Sequence, residues 1–259
     1  MIADNFEILI LSLVQGITEF LPVSSTAHLM LVSKFYEIDN QNLLIAISLH
    51  TGSLLAILFF FRDDFFNFRK NKSLFLKIII GTIPLLPAGY WLHESGFIHS
   101  IRNINLIAWN TLIFGILIYI ADKTQVSKSE ASFKNNLFPW IIAGIFQIVS
   151  LIPGVSRSGI TITAGRFLGF SRLDSSKIAF YLSIPALLAI SIFGIIQLPE
   201  KSFEFNLLAL IGIFLSFFFS YITIKYFLKY IKKFSLTVFV VYRILLGIVL
   251  FIGIFIFNW

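Results

Sequence analysis

The chain has 259 residues, 58% of them hydrophobic and 13% charged, with a mean hydropathy of +0.91. No water-soluble globule of this length hides so much apolar surface, so lipid is the solvent for most of the chain. The net charge of +7 lies in short loops between apolar runs, where it is a topology signal rather than a nucleic-acid surface, and the absence of cysteine removes disulfides and thiolate metal sites.

In chain order, Asp4 and Glu7 precede the first apolar run with no basic stretch, which argues against a cleavable leader. Segment 6–35 is apolar but broken at Pro22, inside QGITEFLPVSSTAHLM (residues 15–30). Spans are expected near 42–61, 74–92 and 104–121. Between them, loop 62–73 carries Arg62, Arg69, Lys70 and Lys72; segment 122–136, with Lys123, Lys128 and Lys134, reads as a solvated loop. Segment 137–169 is again apolar and broken, at Pro153-Gly154 within QIVSLIPGVSRSGITIT (residues 147–163). Spans near 177–197, 206–228 and 235–257 follow, with four lysines over 225–233. The halves of each broken segment are too short to cross a bilayer, so both read as re-entrant helical hairpins with their irregular backbone buried in protein.

The expected fold is an all-α polytopic membrane protein forming a single integral membrane domain over 1–259. A hairpin and three spans occur twice, as repeat 1 (about 6–121) and repeat 2 (about 137–257), joined by a cytoplasmic loop over 122–136. At an ungapped offset of 132 residues Gln15 falls on Gln147, Val23 on Val155, Ser24 on Ser156, Ser25 on Arg157 and Phe35 on Phe167; one residue out of that register, LLAI at 54–57 returns at 187–190. An odd number of spans per half inverts the second copy. The basic loops face the cytoplasm, since the opposite loops hold little beyond Arg102 and Lys201. Both termini and the mouth of the first hairpin then face outward, and the two hairpin tips meet near the midplane.

Gln15 and Glu19, four apart, share a helix face with Ser12 one turn earlier. Pro22 stops that helix, Ser24, Ser25 and Thr26 cap the returning one, and His28 lies in its first turn. In the second hairpin Ser156 caps a helix opening with Arg157, Ser158 and Gly159, and Thr161 follows. Two helix N-termini aimed at one mid-membrane place make an anion site, to which Arg157 adds a fork suited to phosphate oxygens. The structural alternative is that Glu19 and Arg157 form only a buried ion pair holding the hairpins together. His50, in SLHTGS, and Gln147 are candidate cavity-lining groups, His50 equally a helix contact. Arg243 lies within the last span, where it snorkels, pairs or approaches the site, and Arg166 is expected to reach the cytoplasmic headgroups.

QGITEFLPVSSTAH together with PGVSRSG resembles the bacterial undecaprenyl-diphosphatase family, membrane enzymes linked to bacitracin resistance. The resemblance covers the whole chain, and the pair of motifs at this separation is specific. It implies hydrolysis of undecaprenyl diphosphate to the monophosphate in the bacterial inner membrane, recycling the lipid carrier of cell-wall synthesis. It also implies a divalent cation, Mg²⁺ or Ca²⁺, and allows a homodimer. By position the family's carboxylate is Glu19, preceded by Gln15, with Gln15 and Glu19 the metal-side pair. Its hydroxyl and histidine are Ser25 and His28, and its arginine is Arg157. Ser24, Thr26, Ser156, Ser158 and Thr161 then surround the diphosphate. Two departures stand out: Gln15 occupies a position that is often glutamate, and Ala27 one where glycine is common. Glu19 either holds metal or activates the nucleophile, which is Ser25, His28 or water. The rival functions are a transporter or flippase for an anionic prenyl lipid or phosphate-bearing solute, and a channel or structural membrane protein. Lipid phosphatases with a second catalytic histidine after the arginine motif are disfavoured, because no histidine follows His99.

Overall fold

The computed structural model of the chain describes residues 5–35, 43–67, 69, 71–96, 101, 103–197 and 202–257. Lys70, Arg102, Lys201 and the start of the first expected span lie outside these residues. The described chain is all helix, with no strand among the described residues. The first broken segment gives α1 (Asn5–Thr18) and α2 (Ser25–Phe35); the second gives α9 (Phe138–Val149) and α10 (Arg157–Phe167). At 1.5 Å per residue these pieces reach about 16–21 Å, short of a hydrocarbon core of about 30 Å.

The remaining long helices are α3 (Leu43–Phe60), α5 (Lys72–Thr82) continued by α6 (Leu85–Glu94), α7 (Ile104–Asp122), α11 (Arg172–Gln197), α12 (Phe203–Ile231) and α13 (Thr237–Phe257). Two short helices, α4 (Arg62–Phe66) and α8 (Glu130–Asn135), sit in the basic connections. Five stretches are long and apolar enough to cross a membrane: Lys72–Leu92, Ile104–Asp122, Arg172–Gly194, Phe203–Ile231 and Thr237–Ile256. The expected span at 42–61 corresponds to Leu44–Phe60, an apolar helix shorter than these five. Exposed Phe214, Phe255, Trp109 and Ile196 give the outer surface the apolar character that lipid contact requires.

Three sequence expectations change. α11 begins at Arg172 rather than near 177, because Ser171 Oγ accepts from the Asp174 amide at 3.1 Å and caps a polar first turn that hydropathy alone discounts. Segment 122–136 is not simply a solvated loop. α8 turns Phe133 (1% exposed) into the core beside Trp140, whose indole N–H donates to the Phe133 carbonyl at 2.9 Å, and Lys77 donates to the Lys134 carbonyl. On its outer side Lys177 (2.8 Å) and Lys134 (3.0 Å) hold the Glu130 carboxyl below the ordinary carboxylate range. Arg166 likewise does not reach the headgroups. It is 2% exposed and donates to the carbonyls of Phe170, Asp122 and Thr124. Beside it Asp122 receives Arg172 at 2.6 and 3.1 Å and the Leu236 amide at 3.0 Å, so one carboxylate joins α7, α11 and the start of α13.

The broken hairpins are set against the spans by close backbone contact. A Cβ on Gly144 of α9 would lie 1.8 Å from the Gly81 carbonyl of α5, so no other residue fits there without moving a helix. In the first tip, Phe20 (1% exposed) stands edge-on to Phe180 of α11, with ring centroids 5.2 Å apart. In the second tip, Gly154 has φ 90, and a Cβ there would lie 2.7 Å from the Ile107 carbonyl; the turn demands glycine on both counts.

Arg243 resolves the question its sequence position raised. It is 0% exposed on α13, and its five N–H groups meet five carbonyls: Nε donates to Thr111 (3.0 Å), Nη2 to Asn110 (3.1 Å) and Gly154 (2.9 Å), and Nη1 to Val155 (3.1 Å) and, more weakly, Pro22 (3.5 Å). Asn110 adds its own side-chain N–H to the Pro153 carbonyl at 2.8 Å. Both hairpin tips are thus fastened to α7 and α13 through backbone oxygens that water cannot reach. Arg243→Met should lower the thermal stability of the detergent-solubilised protein by about 3 kcal/mol or more, since several buried carbonyls lose their donors. Arg243→Lys, with three N–H groups for five carbonyls, should fall between. A methionine variant melting with the wild type would show that these contacts do not hold the tips.

Candidate active site

Each hairpin returns through a serine in the left-handed region. Ser24 and Ser156, 132 residues apart, both have φ 74, and each immediately precedes a helix, α2 and α10 respectively. A non-glycine residue holds that conformation only when its surroundings fix it, at a cost of about 1–3 kcal/mol. At Ser156 the hydroxyl accepts from the Gly159 amide at 3.1 Å. At Ser24 the hydroxyl faces the Ala27 amide at 3.5 Å and the carbonyl receives His28 Nδ1 at 2.7 Å. Ser158 Oγ of the second tip donates to the Leu21 carbonyl of the first at 2.8 Å, so the two turns are locked together.

Both helix N-termini therefore open on one cavity of about 390 Å³. Glu19, Ser24, Ser25, Thr26, His50, Ser156 and Arg157 line its polar end. The backbone N–H groups of Ser25, Thr26, Arg157 and Ser158 have no acceptor among the described residues. Glu19 (7% exposed) is the centre of the polar groups: Oε1 pairs with Arg157 Nη2, while Oε2 accepts from Gln15 Nε2 at 2.9 Å and from Ser25 Oγ at 3.1 Å. Gln15 Nε2 also lies 2.8 Å from His50 Nδ1. The other end of the cavity is apolar, formed by Leu85, Leu86, Gly89 and Tyr90 of α6, Leu151 and Ile152 of the second tip, and Ala186, Ala189 and Ile190 of α11. Leu86 and Tyr90 are more than half exposed, so this end opens sideways onto the lipid-facing surface.

Of the residues singled out by sequence, the fold brings Glu19, Ser24, Ser25, Thr26, His50, Ser156 and Arg157 together around the cavity. Others are close by but turned to different partners. Ser158 bonds Leu21, and Thr161 Oγ1 donates to the Arg157 carbonyl at 2.7 Å within its own helix. Gln147 is fully buried away from the cavity, with neither amide atom bonded to protein. His28 does not line the cavity: Nδ1 is given to the Ser24 carbonyl, and Nε2 lies 2.6 Å from Tyr242 Oη. The carbonyl accepts only, so Nδ1 carries a proton and donates to it, and Nε2 shares its hydrogen bond with the Tyr242 hydroxyl. Tyr242 is a contributor that the sequence conceals, since nothing in an apolar run near the end of the chain points to a histidine 214 residues earlier.

A divalent cation fits the donors at the polar end in kind. Glu19 supplies a carboxylate and Gln15 Oε1 is a buried oxygen without a protein partner. Among the described residues there is no cluster of three or more His, Asp or Glu side chains able to hold a metal alone. An ion here would take its remaining ligands from substrate oxygens and water, as Mg²⁺ commonly does.

The family model described as bacitracin resistance protein BacA matches residues 8–249. An undecaprenyl-diphosphatase of Pelagibacter ubique is 51% identical over 98% of this chain and 100% of its own length. Those of Campylobacter curvus (40% identical, over 95% of this chain and 98% of the relative) and Saccharophagus degradans (37%, over 96% and 97%) are also similar. With a match that runs through both hairpins and nearly every span, the chain belongs to the bacitracin resistance protein BacA family.

Proposed function

We infer that the chain is a membrane phosphatase that hydrolyses undecaprenyl diphosphate to undecaprenyl phosphate and inorganic phosphate, recycling the lipid carrier of cell-wall synthesis. The observation that carries this reading is a single cavity with Glu19, Ser25 and Arg157 at one end and an apolar, laterally open channel at the other. A diphosphate headgroup suits the first and a prenyl chain the second. Family membership supports the same substrate. A flippase needs a binding site but no nucleophile paired with a base; Ser25 Oγ at 3.1 Å from Glu19 is such a pair.

In the reaction Arg157, one N–H on Glu19 and the others free for phosphate oxygens, clamps the headgroup while the helix N–H groups of both tips share its charge. Glu19 takes the hydroxyl proton as Ser25 Oγ attacks the terminal phosphorus. The bond from that phosphorus to the bridging oxygen breaks, and prenyl monophosphate leaves. Water then attacks the phosphoserine, inorganic phosphate leaves, and the proton on Glu19 returns to Ser25 Oγ. His28, bonded at both ring nitrogens, positions the Ser24 turn rather than attacking. Mg²⁺ or Ca²⁺, held by Glu19 and Gln15 Oε1, would neutralise diphosphate charge.

The reading extends to topology. The hairpins belong to two inverted halves, supported by the matched φ of Ser24 and Ser156 and by the sequence register between them. The lysine-rich connections face the cytoplasm of the inner membrane, which turns both termini and the cavity mouth outward.

Purified protein in detergent should release phosphate from a long-chain prenyl diphosphate without any membrane gradient, lose this activity to a chelator, and regain it with added Mg²⁺ or Ca²⁺. Arg157→Lys should keep the fold and lower turnover by about 100-fold or more, because a point charge cannot replace the fork. Near-normal turnover would remove the clamp. Acid quenching during turnover should trap phosphate on Ser25 in the wild type and none in Ser25→Ala; an unlabelled Ser25 under a clear kinetic burst would point to another nucleophile. Gly89 has open space around it, with Leu151 Cδ2 the nearest contact at 3.9 Å from a built Cβ. Gly89→Phe should therefore raise KM for long-chain prenyl diphosphates while sparing a short-chain analogue. Equal loss on both would place the tail elsewhere.

A further inference from the structure

A second cavity, of about 460 Å³, shares no lining residue with the active site. Its depth in the membrane follows from the spans around it. Ile104–Asp122 and Phe203–Ile231 end at this cavity and Arg172–Gly194 begins there, with Asp122, Ile231 and Arg172 all on its wall. The ends of apolar spans mark the level of the lipid headgroups. Arg166, near the opposite end of α10 from Arg157, lies on the buried wall, beneath an opening edged by exposed Val126 and Lys232.

Charge in this cavity is uneven. Arg166, Arg172 and Lys232 line it against one carboxylate, Asp122. Asp174, the acid in the first turn of α11, accepts from Ser171 Oγ at 2.7 Å and does not line the cavity. Donors are left over as well. Arg172 gives Nε and one Nη2 proton to Asp122, and its Nη1 group has no acceptor among the described residues. The Lys232 ammonium has no partner among the described residues. Arg166 meets carbonyls with its Nη groups, but its Nε has no acceptor, since Asp122 Oδ1 stands 3.7 Å away. The start of α11 adds the N–H groups of Arg172 and Leu173, which also lack acceptors among the described residues. Beside these donors Val126, Leu173 and Ile231 make an apolar side.

We propose that this cavity binds the phosphate group of an anionic membrane lipid, held by Arg172, Lys232 and the first turn of α11, with Arg166 supplying charge beneath it. The site is separate from the phosphatase reading and stands without it. Basic pockets between helix ends at a membrane surface suit such headgroups. A phosphate here bridges α11 and α12 and offsets the positive surplus around Asp122, the carboxylate that joins α7, α11 and the start of α13. Free phosphate has the same chemistry, but only a lipid brings apolar carbons to Val126 and Leu173.

Native mass spectrometry of the detergent-purified protein, titrated with phosphatidylglycerol or phosphatidylcholine, tests this. Phosphatidylglycerol should bind about 10-fold more tightly than the zwitterionic lipid. Lys232→Glu should weaken it by about 10-fold, and Lys232→Gln, which removes the charge without reversing it, by less. Lys233→Glu makes the same charge change on an exposed neighbour outside the cavity, and should leave binding within about twofold of the wild type. Equal affinity for the two lipids would overturn the proposal. So would equal losses at Lys232 and Lys233, the mark of diffuse attraction to a basic surface. Unchanged binding in both Lys232 variants would place the lipid elsewhere, the active-site channel included. Inorganic phosphate should not displace the bound lipid; full displacement would make the free ion the ligand and overturn the lipid assignment.

Discussion

A buried guanidinium meeting five backbone carbonyls is the contact on which the rest of the molecule depends. Irregular backbone buried inside a membrane protein has no water to satisfy it, and two broken hairpins leave several oxygens in that position. Arg243 supplies donors to three of them and to two carbonyls of α7, from a helix that takes no part in either hairpin. It reaches the first tip at Pro22 and the second at Gly154 and Val155, so neither turn is fixed without the other. Hydrocarbon packing alone could not do this, because apolar side chains have no preference for one arrangement of carbonyls over another.

The adjacent residue on the same helix completes the arrangement. Tyr242 is hydrogen-bonded to His28, and His28 donates to the Ser24 carbonyl. One turn of α13 therefore sets both the backbone of the tips and the strained serine that starts α2. His28 keeps its proton on Nδ1 to hold backbone.

The architecture was legible in the sequence where lipid leaves few choices. Long apolar runs become spanning helices, and Pro22 and Pro153-Gly154 interrupt runs that would otherwise have crossed. Glu19 and Arg157 were legible because a charge inside an apolar run needs either a partner or a task. Roles that depend on side-chain direction were not. His28 lies three residues after Ser25 in sequence, yet the helix turns it towards Tyr242. Ser158 and Thr161 belong to the same motif as Arg157, yet one bonds the neighbouring turn and the other its own helix. Arg166 was misplaced for a related reason: an arginine near a helix end was expected in the headgroups, but the carbonyls of Phe170 and Thr124 were nearer than water.

The contrast between two buried arginines bears on whether Glu19 and Arg157 are only a structural pair. A group placed for structure alone should have its hydrogen-bonding capacity met by protein, since each unmet donor costs free energy. Arg243 satisfies that condition, with five donors and five acceptors. Arg157 does not, because Glu19 is its one protein acceptor among the described residues. Around it, among the described residues, the N–H groups of four residues at two helix starts also lack acceptors, and Gln15 Oε1 is buried without a donor. Unmet donors facing one cavity describe a site completed by an anion, and an ion pair whose purpose was to join two hairpins would not leave them.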